Sequence, residues 1–157
     1  MRKLHKIFKA LEPLFRFIEV IAIVAGVAIT LIQLNDLKIQ KSADLAIKFN
    51  DTLDHDYYAK ILETIDSRNP LMKENNPSGR FSQSDVEGYL GIYETIANLY
   101  EKNLISREMI EANFSYDIAK AYRNDEIKNL IRVEQKIDPD LWVGFQKLGQ
   151  MFSNKHP

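Results

Sequence analysis

A continuous apolar run, VIAIVAGVAITLI, extends from Val20 to Ile32, and mostly apolar residues extend it outward to Leu14 and Leu34. Only two ionisable side chains lie between these limits, and both precede the run. A helix of this length, at about 1.5 Å per residue, matches a hydrocarbon core of roughly 30 Å. The sequence therefore predicts a transmembrane helix over residues 14–34.

Two other structures could account for so apolar a segment. A cleaved secretory signal needs a polar, small-residue cleavage site after its apolar part, whereas Ala22, Ala25 and Ala28 are followed by more apolar residues. A buried core helix would have to be covered on every face, which a domain of this size seldom achieves. Both alternatives are disfavoured relative to a membrane span.

The residues before the predicted span, 1–13, have the pattern of a basic amphipathic leader. Apolar residues recur at helical spacing, and Pro13 would mark the junction with the span. Such a segment can lie on an anionic membrane surface, although a solvated positive tail explains it equally well. The basic side chains expected at the surface are Arg2, Lys3, Lys6 and Lys9.

Charge predicts an orientation and argues against one class of partner. Lys and Arg before the span outnumber Lys38, Lys41 and Lys48 just after it, which favours a cytoplasmic amino terminus. The opposite orientation stays open, because a short leader can itself be translocated. The chain carries a net charge of −1 and residues 1–16 carry +4, so the remainder carries about −5. This acidic remainder has no basic patch suited to binding nucleic acid. The chain also has no cysteine, so it offers no disulfide pattern that would indicate its cellular compartment.

Residues 35–157 predict one helical domain, because no stretch shows the two-residue alternation of a strand. The span is expected to continue without a break into the first helix of this domain, and residues 67–81, rich in Pro, Gly and Asn, form the main loop. The predicted fold class is all-α, with an N-terminal transmembrane helix that continues into a small helical bundle. The helix starts expected further along are a capping box at Ser84 and Glu87, N-caps at Ser106 and Asn124, and a last helix opened by Asp138 and Pro139.

An apolar span that runs into a helix, followed by GYLGIYETIANLYEKNLISREMI and later by DLWVGFQKL, resembles a known family. The chain is similar to a domain-of-unknown-function family (DUF 4760) of small membrane-anchored bacterial proteins. The resemblance implies a single-pass protein of the bacterial inner (cytoplasmic) membrane, and it brings no catalytic motif. The residues that carry it are Tyr89, Leu90, Tyr93, Glu94, Ala97, Leu99, Tyr100, Leu104, Ile105, Phe114, Trp142, Phe145 and Leu148.

Acidic residues on two helices are the candidates for chemistry. His55 and Asp56 form a dipeptide that also occurs in metal-dependent phosphohydrolases, but the further histidines of such a site are missing. Helix-start roles for Asp54 and Asp56 are therefore favoured. A second set, Glu87, Glu94 and Glu101, repeats every seven residues; a solvated acidic stripe is favoured, and burial of Glu94 against Arg107 or Arg123 is the alternative for that residue. No catalytic, cofactor or metal site is expected.

Two further features could mediate binding. Tyr89, Tyr93, Tyr100, Tyr116 and Tyr122 could line a ligand pocket or a partner groove, although core packing is the default interpretation. The same default applies to Trp142 and Phe145.

Within the span, small residues at four-residue spacing on one face allow close helix–helix contact: Ala22, Gly26 and Thr30. The leading hypothesis is a single-pass, membrane-anchored, non-catalytic protein–protein interaction module that self-associates. The alternative is an oligomerising membrane effector or toxin that perturbs the bilayer.

Overall fold

The computed structural model describes the backbone of residues 2–155 and the side chains of residues 26–155. This part of the chain is all-α, and its only bridge pairing joins Met72 and Phe81. Six helices follow one another: α1 (Arg2–Leu53), α2 (Asp56–Asp66), α3 (Gln83–Glu101), α4 (Arg107–Arg123), α5 (Asp125–Glu134) and α6 (Val143–Phe152). The predicted all-α class is confirmed, and so is the unbroken continuation of the N-terminal helix into the segment after residue 34.

The chain divides into two compact units, Met1–Gln40 and Lys41–Pro157. Within the second unit, the end of α1 contributes buried residues of its own: Ser42, Ala46 and Leu53. The Ser42 hydroxyl accepts a hydrogen bond of 3.2 Å from the backbone N–H of Ser106. This bond ties the last turns of α1 to the residue that begins α4.

The core of the second unit lies where α3 and α4 pack against α6. The Phe145 ring lies between two tyrosines, with ring centroids 6.2 Å from Tyr93 and 6.4 Å from Tyr122. Gly149 packs directly on the Tyr122 ring, so that a Cβ at this position would overlap the ring atoms. The fully buried large side chains are Tyr89, Tyr93, Phe114, Phe145, Phe152, Ile61, Leu71, Leu90, Ile96, Ile110, Ile118 and Ile127.

Two of the predicted helix starts are confirmed by their caps. The Ser106 hydroxyl accepts from the backbone N–H of Met109 at the start of α4. The Asn124 side chain accepts from the N–H groups of Glu126 and Ile127 at the start of α5. Each cap satisfies amide groups that have no partner inside the helix.

Two other predicted starts are wrong. The capping box of α3 uses Ser82 and Asp85, since Ser82 has the extended backbone of an N-cap, whereas Ser84 lies inside the helix. The last helix begins at Val143 and not at Asp138, whose carboxylate instead accepts from the N–H of Asp140 in a turn. Neither difference changes the number or the order of the helices.

Candidate functional site

The apolar part of α1 exposes large side chains in almost every direction. Val27, Ile29, Leu31, Ile32 and Leu34 each expose between 55% and 62% of their surface. With 3.6 residues per turn, these five positions are distributed round most of the helix, and Thr30 and Gln33 occupy the remaining side. An apolar surface round most of a helix is wider than the single apolar stripe of a helix that packs on a core.

One face of this segment is open to close approach. A Cβ built on Gly26 would meet no heavy atom within 4 Å. The Thr30 hydroxyl donates to the Gly26 carbonyl at 2.8 Å, which satisfies that hydroxyl within the helix itself. Among the predicted site residues, the side chains of Leu14, Val20 and Ala22, and of Arg2, Lys3, Lys6 and Lys9, lie outside the described residues.

The predicted span is thus described only in part. In the portion of the chain that was described, no helix combines the length and the hydropathy needed to cross a membrane. Ile32 and Leu34 belong to this portion and are exposed.

Glu94 supplies the cap of α6. Its Oε1 and Oε2 atoms accept from the backbone N–H groups of Gly144 at 3.1 Å and Phe145 at 2.7 Å. The residue before the helix, Trp142, has a φ of 61° and gives no side-chain cap, so the carboxylate from α3 replaces a local one. Gly144 permits this approach, since a Cβ there would lie 2.7 Å from the Cβ of Ala97.

The interpretation as part of a solvated stripe is therefore wrong for Glu94, as is its alternative burial against Arg107 or Arg123. Glu101 pairs with Lys147 of α6 at 2.5 Å. Glu87 accepts from Gln83 at 2.6 Å, and the same Gln83 amide group donates to Glu134 of α5 at 3.3 Å.

The Glu134 carboxylate lies in a partly buried position at the end of α5. It accepts a hydrogen bond from the Trp142 indole N–H. Burial raises the pKa of Glu134, and the nearby Glu87 raises it further. The hydrogen bond from Trp142 acts in the opposite direction and lowers this pKa. Trp142 thus packs against the core, as predicted, while its polar edge is held by a carboxylate.

A carboxylate that the sequence analysis did not single out organises the main loop. Glu126, in the first turn of α5, accepts from the N–H of Leu71 at 2.7 Å and of Met72 at 2.9 Å. Both loop residues are buried, at 0% and 2% exposure, so their amide groups need an internal partner. An acidic residue just after an N-cap is ordinarily interpreted as a helix-dipole residue, and that common role hides the long-range one.

His55 and Asp56 remain at the start of α2, where His55 is the N-cap residue without a side-chain cap bond. Among the residues with described side chains, no cluster of three or more His, Asp or Glu has a geometry that could hold a metal ion. The interaction with Asp85 of α3, together with burial, raises the pKa of the neighbouring Tyr57 to about 12. The start of α2 is thus tied to the start of α3 through a phenol and a carboxylate.

Two of the five tyrosines form a buried polar contact. The Tyr93 hydroxyl donates to the Tyr89 hydroxyl at 3.1 Å, and burial raises the pKa of both phenols. Burial, with additions from Asp66 and Asp54, raises the pKa of Asp117 of α4 to about 6, and the interaction with Tyr93 opposes this rise. Core packing is confirmed for Tyr89 and Tyr93.

The other three tyrosines are less buried than Tyr89 and Tyr93. Tyr100 and Tyr122 are partly buried against the core, whereas Tyr116 is 43% exposed and its hydroxyl donates to Asp66 at 3.0 Å. The five side chains therefore do not line one common pocket.

The described residues define an all-α protein in which acidic side chains hold helix ends and a loop in place. The chain belongs to the family of the domain of unknown function DUF4760, whose model matches residues 20–151. No curated protein and no solved structure matches this chain.

Proposed function

We propose that this protein is a single-pass, membrane-anchored helical module of a bacterial cytoplasmic membrane. It works by protein–protein interaction, self-associates, and has no catalytic activity. Residues 14–34 cross the bilayer in this proposal, and residues 35–157 form the interacting domain. The observation that carries the proposal is the exposed apolar surface round most of α1 between Val27 and Leu34.

The distribution of this surface favours lipid as its environment. A partner that docks in one groove would need one apolar stripe, and the opposite side of the helix would then be polar. Side chains such as Ile29 and Leu31 lie on well-separated sides of α1, and both are more than half exposed. A surrounding hydrocarbon solvent covers all of this surface at once, and the sequence that precedes Gly26 is also apolar as far back as Val20.

Self-association is supported by the open face at Gly26. In lipid, helices associate through close backbone packing, and small residues four apart permit it. The Gly26 position has free space around it, and Thr30 lies one turn further along the same face. A second copy of this helix would bring a matching small-residue face to the contact.

A non-catalytic role is supported by what the prominent acidic side chains do. Glu94 caps α6, Glu126 holds the main loop, and Asp85 completes the capping box of α3. Each of these carboxylates stabilises the fold through backbone N–H groups. Their spacing on the helices therefore has a structural explanation.

Orientation can be measured with a single introduced thiol. The chain has no cysteine, and Ser78 lies exposed in the main loop, so Ser78→Cys gives one reporter. Intact cells are treated with a membrane-impermeant maleimide. Labelling in intact cells is expected if the charge bias sets a cytoplasmic amino terminus. Labelling only after permeabilisation would contradict that orientation, and recovery of the labelled chain in the soluble fraction would contradict the anchor.

Self-association can be tested with a matched pair of substitutions. Gly26→Leu places a bulky side chain on the small-residue face, and Ala28→Leu places the same side chain about 160° away around the helix. Light scattering of the full chain in a neutral detergent is expected to give an oligomer for the wild type and for Ala28→Leu, and a monomer for Gly26→Leu. Equal masses for the two variants would contradict association through this face.

A further inference from the structure

A shallow groove of about 430 Å³ lies beside α5, between this helix, the end of α4 and α6. Its volume is within the range of roughly 300–1,000 Å³ that is usual for small-molecule sites. The lining residues are Tyr122, Lys128, Ile131, Arg132, Gln135, Lys136 and Gln146. Three of the seven are cationic, and none is acidic.

The three cations recur at four-residue spacing, at positions 128, 132 and 136. They therefore follow one side of α5 and the turn after it. Part of this charge could serve the helix dipole, because Arg132 lies in the last turn of α5. Lys128 lies close to the amino-terminal end of the same helix, where a cation gains nothing from the dipole, so the dipole does not account for the whole row.

Few of these charges are neutralised within the fold. Lys128 pairs with Asp125 at 3.0 Å, but the Asp125 side chain is 97% exposed and so constrains it little. Among the residues with described side chains, Arg132 and Lys136 have no ion-pair partner. Both side chains are exposed and therefore accessible to an anionic ligand.

The floor of the groove offers ordered hydrogen-bonding groups. The Gln135 amide donates to the Leu141 carbonyl at 2.7 Å and to the Gln146 Oε1 atom at 2.9 Å. The second of these bonds orients the Gln146 amide, and the NH₂ group of Gln146 has no partner among the described residues. Beside it, Tyr122 and Ile131 add an aromatic and an aliphatic surface.

We propose that this groove binds a phosphate ester: the phosphate lies against Arg132 and Lys136 and accepts from the Gln146 amide, while the organic part lies on Tyr122 and Ile131. A guanidinium binds phosphate through two parallel hydrogen bonds, and an ammonium adds a point charge. The ester can be a soluble metabolite or the headgroup of a phospholipid. Both sources present the same phosphate chemistry to the groove.

The test uses the full chain, labelled with ¹⁵N, in micelles of a neutral detergent. The readout is the pair of side-chain amide signals from Gln135 and Gln146, which report from inside the groove. Three probes are titrated separately: inorganic phosphate, adenosine monophosphate, and dihexanoyl phosphatidylglycerol below its micelle concentration. Tighter binding of the nucleotide would indicate a soluble ester, and tighter binding of the short-chain lipid would indicate a headgroup; either result supports the site.

Arg132→Gln combined with Lys136→Gln removes the two cations of the groove that have no ion pair. A matched control, Lys60→Gln with Arg107→Gln, makes the same change in net charge at two exposed positions outside the groove. The groove variant is expected to bind the best probe at least about tenfold more weakly, since charge-assisted hydrogen bonds to the phosphate are lost. The control is expected to bind within about twofold of the wild type, as surface charges at a distance are screened.

Two results would overturn the proposal. One is the absence of a saturable shift of the Gln135 and Gln146 signals with all three probes. The other is an equal loss of affinity in the groove variant and the control, which would mean that the anions respond only to net charge. Circular dichroism of both variants verifies that the helices are intact.

Discussion

The carboxylate of Glu94 is expected to be a main support of α6. Glu94→Ala removes both acceptors from the buried N–H groups of Gly144 and Phe145, and no local cap at Trp142 can replace them. A hydrogen bond to a charged group contributes about 1.5–3 kcal/mol, and a buried N–H left without a partner costs about 1–3 kcal/mol. Because one carboxylate serves both amides, the expected loss in free energy of unfolding is about 3 kcal/mol in all. This is a large part of the roughly 5–15 kcal/mol that is usual for a domain.

Two other variants separate the cap from general charge effects. Glu94→Gln keeps one acceptor oxygen and loses the charge, so it should cost about 1–2 kcal/mol. Glu101→Ala removes a carboxylate two turns along the same helix face, where the pair with Lys147 is half exposed. That loss should be at most about 0.5 kcal/mol.

The assay is urea unfolding of the full chain in a mild nonionic detergent. Trp142 is the only tryptophan, and it directly precedes α6, so its fluorescence reports whether this helix is docked. Linear extrapolation gives the free energy of unfolding for each variant. Equal shifts for Glu94→Ala and Glu101→Ala would refute the view that Glu94 acts as the cap of α6.

Further variants test the packing and the buried acid. Gly149→Ala would force a Cβ into the Tyr122 ring and should destabilise the chain by about 1–3 kcal/mol, whereas Gly91→Ala, with nothing within 4 Å, should stabilise α3 by about 0.5–1 kcal/mol in the same urea assay. The reverse order of these two effects would contradict the close packing of Gly149 on Tyr122. Burial raises the pKa of Asp117 to about 6, so the folded chain favours the protonated form and stability should fall as the pH rises from 3.8 to about 6. Asp117→Asn should reduce this loss of free energy of unfolding by about 1–2 kcal/mol, a figure that allows for screening by solvent. An unchanged dependence of stability on pH would show that another group is responsible.

The order and the approximate limits of the helices could be predicted from the sequence, because local rules decide them. Ser106 and Asn124 each cap a helix by accepting from N–H groups within three residues of themselves. The start of α6 could not be predicted in this way. Its cap comes from Glu94, some fifty residues earlier in the chain, so only the tertiary fold brings the two together.

The candidate site residues likewise divide into features that local sequence rules predict and features that depend on long-range contacts. The spacing of Glu87, Glu94 and Glu101 correctly predicts that they share a helix face, but spacing carries no information about what packs against that face. The role of Glu126 in holding Leu71 and Met72 also depends on a long-range contact. Prediction from one sequence therefore succeeds for the shared face of these carboxylates and for the caps at Ser106 and Asn124, and it fails for partners that are distant along the chain.

The central claim is that residues 14–34 anchor the chain in a bilayer, and alkaline carbonate extraction of membranes from cells that express the full chain tests it most directly. Carbonate strips peripheral proteins from membranes and leaves integral ones in place. The chain is expected to stay in the membrane pellet after extraction and to be released only by detergent. Release of most of the chain into the carbonate supernatant would contradict it.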